Sequence, residues 1–278
     1  MRKNTYLDEI NQLDPVKDHE RIAFLNTCYE FPWDTTRSLE LALFRTFASA
    51  SGSGVLERSG EFIQRPQKRY DDTVLILSEI LENGYNSARG RAALRRMNQM
   101  HGRYPISNDD FLYVLSTFIY EPIRWNERFG WRKFTQKEKE ATFHYWRQIG
   151  RMMNIKNIPE DYATFEQMNI DFEQEHFAFA PSNAHIATAT REMFLGWFLP
   201  EPLHFLGEPF LHAMLDDRLR EAVGFPKAPA WLTRLVESSL KLRGWLVRWL
   251  PPRKKPRLIT QQKNRTYPNG YQIDELGT

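Results

Sequence analysis

The spacing of the apolar residues constrains this chain more than any other feature of its sequence. In segment after segment they recur three and four positions apart, which is the period of an α-helix, and the alternating pattern of a β-strand is nearly absent. No internal repeat stands out, and no linker rich in Pro, Gly or Ser divides the 278 residues. We therefore predict an all-α fold, with a single globular helical domain over residues 1–250 and an extended C-terminal tail over 251–278.

Capping residues, glycines and prolines predict where the helices begin and end. Thr135 and Glu138 have the spacing of a capping box at a helix start, and Gly84 follows an amphipathic segment that begins at Thr73. We place helix breaks at the glycines of 51–54 and at Pro122. The predicted helices cover 37–50, 73–82, 87–103, 108–121, 135–153, 159–176, 182–199, shorter segments within 202–223, and 229–250.

The single cysteine, Cys28, excludes an internal disulfide and any metal site built from several cysteines. A chain without disulfides is typical of a reducing compartment, so we expect a cytoplasmic protein. No apolar run follows the charged residues at the start, which predicts no secretory signal. No apolar run approaches the roughly 18 residues that a membrane-spanning helix needs.

Positive charge is concentrated near the C-terminus, although the formal net charge is only +3. Within 240–257 the basic residues alternate with Trp245, Leu246, Trp249 and Leu250, a composition that suits anionic lipid headgroups. This predicts peripheral membrane contact through 240–257; the alternative is a packed helix with a solvated basic rim. The cluster matches no nucleic-acid-binding motif, so we expect no nucleic acid partner.

The strongest candidate for a functional side chain is His101. With Leu94 and Met97 it shares one face of the helix predicted over 87–103, and Pro105 then separates that helix from a strongly apolar one. A neutral imidazole beside an apolar wall suits an axial ligand of haem iron. The same pattern is typical of a buried structural histidine, and spacing alone leaves both interpretations open.

Two Glu-x-x-His pairs offer a different metal chemistry. Glu173 with His176, and Glu201 with His204, have the spacing that di-iron helical bundles use. Such pairs also arise by chance in a chain with 35 acidic residues, so a di-iron enzyme stays as an alternative. The sequence contains neither an H-E-x-x-H nor a G-x-S-x-G motif.

Several phrases, in order along nearly the whole chain, carry a resemblance to a known family. They are YEFPW at 29–33, RPQKRYDDT at 65–73, RMNQMHGRY at 96–104, ISNDDFLYVLS at 106–116, RWNERFGWR at 124–132, RTYPNGY at 265–271 and LG at 276–277. Together they resemble the MpaB-type oxygenases, whose superfamily includes the latex-clearing rubber oxygenases. The resemblance implies a globin-like helical core of the rubber-oxygenase type that holds one haem b per chain.

The resemblance also implies roles for particular residues. His101 matches the axial ligand of the haem iron, and Arg69 and Thr73 match the arginine and threonine of an Arg-x-x-Lys-Thr motif on the distal side. Asp72 stands where that motif has its lysine, so rubber cleavage itself is not implied. We take Arg69, Asp72 and Thr73 as catalytic candidates, with Arg69 also expected to bind the haem.

Two further roles are expected around these residues. Asn98, three positions before His101, is expected to hydrogen-bond the second ring nitrogen of the ligand, with a backbone carbonyl as the alternative. The family's glutamate base falls at Glu57 or Glu61.

The predicted function is that of a haem b-dependent oxygenase, an oxidoreductase that acts with O2 on a small apolar, unsaturated, isoprenoid-like substrate. A haem-binding sensor or carrier without turnover is the main alternative, beside the di-iron enzyme.

Overall fold

The structure, a computed structural model, describes residues 5–277. It contains no β-strand within that range, and one isolated bridge joins Ser49 to Phe177. The predicted all-α fold is therefore confirmed. The helices are α1 Thr5–Gln12, α2 His19–Leu25, α3 Pro32–Thr46, α4 Ala50–Ser59, α5 Glu61–Gln64, α6 Pro66–Asn83, α7 Ala88–His101, α8 Asn108–Phe129, α9 Gln136–Met152, α10 Tyr162–His176, α11 Pro181–Leu195, α12 His204–His212, α13 Asp217–Ala222 and α14 Ala230–Val247.

Several predicted helix ends are confirmed by the hydrogen bonds that form them. The Thr135 hydroxyl accepts from the backbone N–H of Glu138, and the Glu138 carboxylate accepts from the backbone N–H of Thr135, which completes the capping box at the start of α9. Gly84 ends α6 with φ of +83°, a conformation that L side chains rarely adopt. Local chemistry therefore sets these boundaries.

The predicted helix break at 51–54 is wrong, because α4 runs through both glycines. The Ser49 hydroxyl accepts from the backbone N–H of Gly52 and caps the helix. One face of α4 then packs on α11, where the Ser53 hydroxyl donates to Oδ1 of Asn183 at 2.5 Å. Tertiary packing thus overrides the low helix propensity of glycine.

The predicted end of a helix at Pro122 is also wrong, because α8 continues through this residue to Phe129. A proline inside a helix removes one hydrogen bond and costs about 3 kcal/mol. In α8 this cost is offset by burial, because the helix is central and contacts α3, α9, α10 and α14. Ile119 and Tyr120 before the proline, and Ile123 after it, are almost fully buried.

Helices α6 and α7 form an antiparallel pair that Gly84 and Gly90 bring close together. A Cβ at Gly90 would lie 2.0 Å from the carbonyl oxygen of Gly84, so only glycine fits this contact. The facing side chains, including Leu94 and Met97 of α7, are buried against α6 and α9. The position of the C-terminal end of α7 therefore depends on this contact.

The segment after α14 lies along α6 and α7 and contains no α-helix up to residue 277. The backbone N–H of Arg257 donates to the Cys28 carbonyl at 2.9 Å, and the Tyr271 hydroxyl donates to Glu79 at 2.7 Å. Leu276 is fully buried in the cluster formed by α6, α7 and α9. This C-terminal segment is thus packed on the helical body.

The contact at Gly90 can be tested by substitution. We expect Gly90→Ala to lower the free energy of unfolding by about 3 kcal/mol, because an added methyl group overlaps the backbone of Gly84. Gly54→Ala in α4 is the control, since its Cβ would meet only the flexible end of Arg58 at 3.3 Å. Denaturant unfolding of both variants measures the difference, and equal stability would contradict the assigned role of Gly90.

Candidate functional site

A large cavity of about 380 Å³ lies among α3, α4, α6, α7, α8 and α9. Its wall is mostly apolar, and its volume is within the range of sites for cofactors and small molecules. On α6 the lining extends from Arg69 to Glu82, so the cavity follows about 20 Å of that helix. Four predicted site residues line it together, namely Arg69, Asp72, Thr73 and His101.

His101 is the last residue of α7, and its ring packs edge-on against Phe111 with the ring centroids 5.4 Å apart. Its Nδ1 is buried, and neither ring nitrogen has a hydrogen-bond partner among residues 5–277. Burial, together with the positive charge of Arg69 nearby, lowers the pKa of His101 from 6.5 to about 4. The imidazole is therefore neutral near pH 7, which is the form that binds a metal.

Asn98 does not take the expected position beside His101. Its side-chain nitrogen donates to the carbonyl oxygen of Met152 at 3.0 Å, a group at the end of α9 that has no partner within its own helix. No hydrogen bond between Asn98 and His101 occurs in the described part of the chain, and Asn98 is not part of the cavity wall. Asn98 thus joins α7 to α9.

Arg69 is a half-buried cation at the cavity wall. Its guanidinium donates to the Thr73 hydroxyl one turn later and lies 5.3 Å from the ring centre of Phe62. Thr73 in turn donates to the carbonyl oxygen of Arg69 at 2.9 Å. Burial lowers the pKa of Arg69, and the charge of Asp72 opposes this effect. Within residues 5–277, Thr73 is the only side chain that hydrogen-bonds the guanidinium.

Asp72 is only 2% exposed and already has two strong partners. Its carboxylate accepts from Nζ of Lys68 at 2.8 Å and from the Tyr267 hydroxyl of the tail at 2.6 Å. The Lys68 ammonium also donates to Tyr267 at 2.9 Å, which closes a three-residue network. The Asp72 carboxylate is therefore fixed in place by these hydrogen bonds, and its charge is compensated by Lys68.

The two candidate bases lie in different environments. Glu57 is on the surface, where it pairs with Nδ1 of His185 at 2.6 Å, and it does not line the cavity. Glu61 does line the cavity and accepts from Arg65 at 2.6 Å. Of the two, only Glu61 has access to a molecule bound there.

Glu40 of α3, which no sequence pattern singled out, also lines the cavity. It is 7% exposed, and it accepts hydrogen bonds from Tyr70 at 2.9 Å and from Arg37 at 2.6 Å. Burial raises its pKa from 4.5 to about 7, against the opposing effect of Arg37. The available signal was an acid between Leu39 and Leu41 in an apolar segment.

The Glu-x-x-His pairs serve separate structural contacts. Glu173 accepts from Arg45 at 2.9 Å and from Tyr113 at 3.0 Å, whereas His204 pairs with Glu192 at 2.5 Å. Within residues 5–277 no three side chains of His, Cys, Asp or Glu come together to hold an ion. The geometry gives the di-iron alternative no support.

Comparison with known proteins adds independent information about the family. Residues 36–249 match the family model described as "ER-bound oxygenase mpaB/B'/Rubber oxygenase, catalytic domain". The ER-bound oxygenase mpaB' of Penicillium brevicompactum is 29% identical over 274 residues, which covers 91% of this chain and 64% of that protein. The ER-bound oxygenase mpaB of Penicillium roqueforti is 28% identical over 213 residues, covering 70% and 71%. This chain thus spans less than two thirds of the mpaB' relative.

A solved structure supports the fold. The latex clearing protein LCP in its closed state superposes with a TM-score of 0.57 at 14% identity, covering 91% of this chain and 74% of that one. At this identity the match concerns the fold alone, and it confirms the predicted rubber-oxygenase type of helical core.

The raised pKa of Glu40 predicts a pH-dependent stability. Between pH 4.5 and about 7 the folded protein keeps a proton on Glu40 that the unfolded chain releases, so stability falls as pH rises through this window. The free energy of unfolding of Glu40→Gln, relative to that of the wild type, should therefore rise by about 3 kcal/mol from pH 4 to pH 8. Denaturant unfolding across this pH range measures the gain.

Glu201→Gln is the matched control, because Glu201 is exposed. A difference between Glu40→Gln and the wild type that does not change with pH would contradict the burial effect.

Proposed function

This chain belongs to the family of the mpaB-type oxygenases and rubber oxygenases, and we propose that it is a haem b-dependent oxygenase. Its substrate in this proposal is a small apolar, unsaturated, isoprenoid-like molecule that reacts with O2. Family membership supports oxygenase chemistry in general. The observation that supports haem is the neutral, unpartnered imidazole of His101 at the wall of an apolar cavity.

Two residues of the cavity fit the needs of a non-covalently bound haem. An axial ligand must offer a nitrogen lone pair, and His101 can do so without breaking a hydrogen bond within the described residues. Haem propionates are anions, and Arg69 is a half-buried cation. Within residues 5–277 its guanidinium hydrogen-bonds one side chain, the neutral Thr73. His101 would hold the iron and Arg69 a propionate.

When bound, haem supplies the activation of O2 and the redox chemistry, while the protein supplies binding and a dry environment. Apolar side chains such as Leu77, Phe118 and Trp146 bind a hydrocarbon chain and exclude water. Thr73 fixes Arg69 through their mutual hydrogen bonds, so the cation keeps its place at the wall. Glu40, with a pKa of about 7, can hold a proton or release it near neutral pH.

A haem-binding sensor or carrier is the second candidate, and Asp72 is the observation that favours it. The aligned family motif has a lysine there, and this chain has a carboxylate compensated by Lys68 and Tyr267. Oxygen uptake in the presence of unsaturated lipids distinguishes the two candidates, because a carrier consumes none.

The haem proposal leads to a direct spectroscopic test. We expect the purified, haem-supplemented chain to show a Soret band and about one haem per chain by pyridine haemochrome assay, and His101→Ala to lose most of this haem. His212→Ala is a matched control, because burial also lowers the pKa of His212 to about 4 but the residue lies outside the cavity. Equal haem content in both variants would reject His101 as the ligand.

We further propose that the protein binds the cytoplasmic face of a membrane peripherally, with 240–257 at the contact. Among residues 5–277 no helix is both long and apolar enough to span a bilayer. Gly244 brings the inner side of α14 against α8, where a Cβ would lie 2.4 Å from the Phe129 carbonyl oxygen. On the outer side Trp245 is 51% and Trp249 is 60% exposed.

Neighbouring residues give this apolar patch its charge. Exposed basic residues border the patch, namely Lys241, Arg248, Arg253, Lys254 and Lys255. Aromatic side chains next to basic ones are typical of proteins that lie at the interface of an anionic bilayer. The curated relatives are named ER-bound, which agrees with this proposal.

Liposome sedimentation tests the membrane contact. We expect binding to vesicles with anionic lipid to fall at least tenfold in the double variant Trp245→Glu/Trp249→Glu, because both rings lose their place in the interface. Val16→Glu is the control, since Val16 is an exposed apolar residue far from this patch in sequence. Unchanged sedimentation of the double variant would exclude this surface.

A further inference from the structure

A second feature of the cavity wall is the side chain of Asn26, which the haem proposal does not use. Asn26 lines the cavity and is 3% exposed. Both its side-chain oxygen and its side-chain nitrogen are buried without a hydrogen-bond partner among the described residues. A buried amide in this condition is costly, because its polar atoms have left water and gained nothing in return.

Another asparagine of the same chain shows what a structural role looks like. Asn183 is fully buried, and its side-chain nitrogen lies within hydrogen-bond distance of three backbone carbonyl oxygens, at 2.8 to 3.2 Å. Its side-chain oxygen accepts from Ser53 at 2.5 Å. Asn183 therefore joins α4 to neighbouring segments, whereas Asn26 makes no such link.

The backbone around Asn26 also departs from regular helix. Residues Asn26–Glu30 form a π-helical turn between α2 and α3, in which the N–H of Phe31 donates to the Asn26 carbonyl at 2.8 Å. Turns of this kind frequently occur at functional sites. Cys28 of the same turn also lines the cavity.

A charged pair lines the same cavity. Arg257 joins the turn through its backbone N–H, which donates to the Cys28 carbonyl at 2.9 Å. Its guanidinium lies close enough to Glu40 to lower the pKa of that carboxyl. Arg257, Glu40 and Asn26 thus belong to the wall of one cavity.

We propose that Asn26 binds the hydroxyl end group of an amphiphilic substrate whose apolar chain fills the rest of the cavity. A hydroxyl donates to the amide oxygen and accepts from the amide nitrogen, so it satisfies both free atoms. A pure hydrocarbon leaves both unpaired, and an ionised carboxylate can only accept, so it leaves the amide oxygen without a donor. This inference rests on the proposed oxygenase function, and it defines the substrates of that oxygenase as apolar alcohols.

Binding of two matched probes to the full chain tests this assignment without turnover. Dissociation constants for dodecanol and dodecane are measured from the change in tryptophan fluorescence that accompanies binding, since Trp146 lines the cavity. We expect Asn26→Leu to weaken dodecanol binding about tenfold and to leave dodecane binding unchanged or tighter. The ratio of the two dissociation constants is compared between the wild type and each variant, so that the different solubilities of the two probes cancel.

Thr142→Val is the matched control, because Thr142 lines the same cavity but its hydroxyl already donates to the Glu138 carbonyl at 2.8 Å. This variant should keep the wild-type ratio. If Asn26→Leu does not fold, Asn26→Ala removes the amide without added bulk and should give the same loss.

Haem content of each variant is measured in parallel. If the ratio of the dodecanol and dodecane dissociation constants is the same in the Asn26 variants as in the wild type, the inference is overturned. If the variants lose haem while that ratio is unchanged, the inference is also overturned, and Asn26 would be assigned to a haem propionate. A wild-type chain that shows the alcohol preference but binds no haem would instead reject the proposed reaction and leave this binding site standing.

Discussion

Burial keeps the imidazole of His101 neutral, and the chemistry proposed for this fold depends on where that ring is held. The ring projects from the last residue of α7 into an apolar cavity and rests against Phe111. The height and angle of α7 follow from its contact with α6, which only a glycine at position 90 permits. A contact between two backbones thus determines the place of a side chain more than two helical turns away.

Burying polar groups in an apolar cavity costs stability, and the polar groups of this cavity are of two kinds. Asp72 is compensated by Lys68 and Tyr267, and Glu40 shares hydrogen bonds with Tyr70 and Arg37. Asn26 and His101, in contrast, have side-chain atoms without partners in the described structure. The first kind of group supports the fold. The second kind lowers stability in the absence of a ligand, which is typical of atoms kept for binding.

Sequence patterns were sufficient to predict the fold class and the cavity-lining site residues on α6 and α7. Period and caps predicted most helices, and the resemblance directed attention to Arg69, Asp72, Thr73 and His101, which line one cavity. Glu40 and Asn26 were missed because their importance arises from burial beside segments distant in sequence. The continuation of α8 through Pro122 and of α4 through its glycines follows from tertiary packing, which local propensity does not contain.

The proposed chemistry requires a bond between iron and His101, and resonance Raman spectroscopy of the reduced haem protein detects such a bond. Protein is prepared with ordinary and with isotopically labelled histidine, and the low-frequency iron–ligand bands are compared. We expect a band that shifts with the label in the wild type and is absent when His101 is replaced. An iron–ligand spectrum insensitive to the label would contradict this expectation.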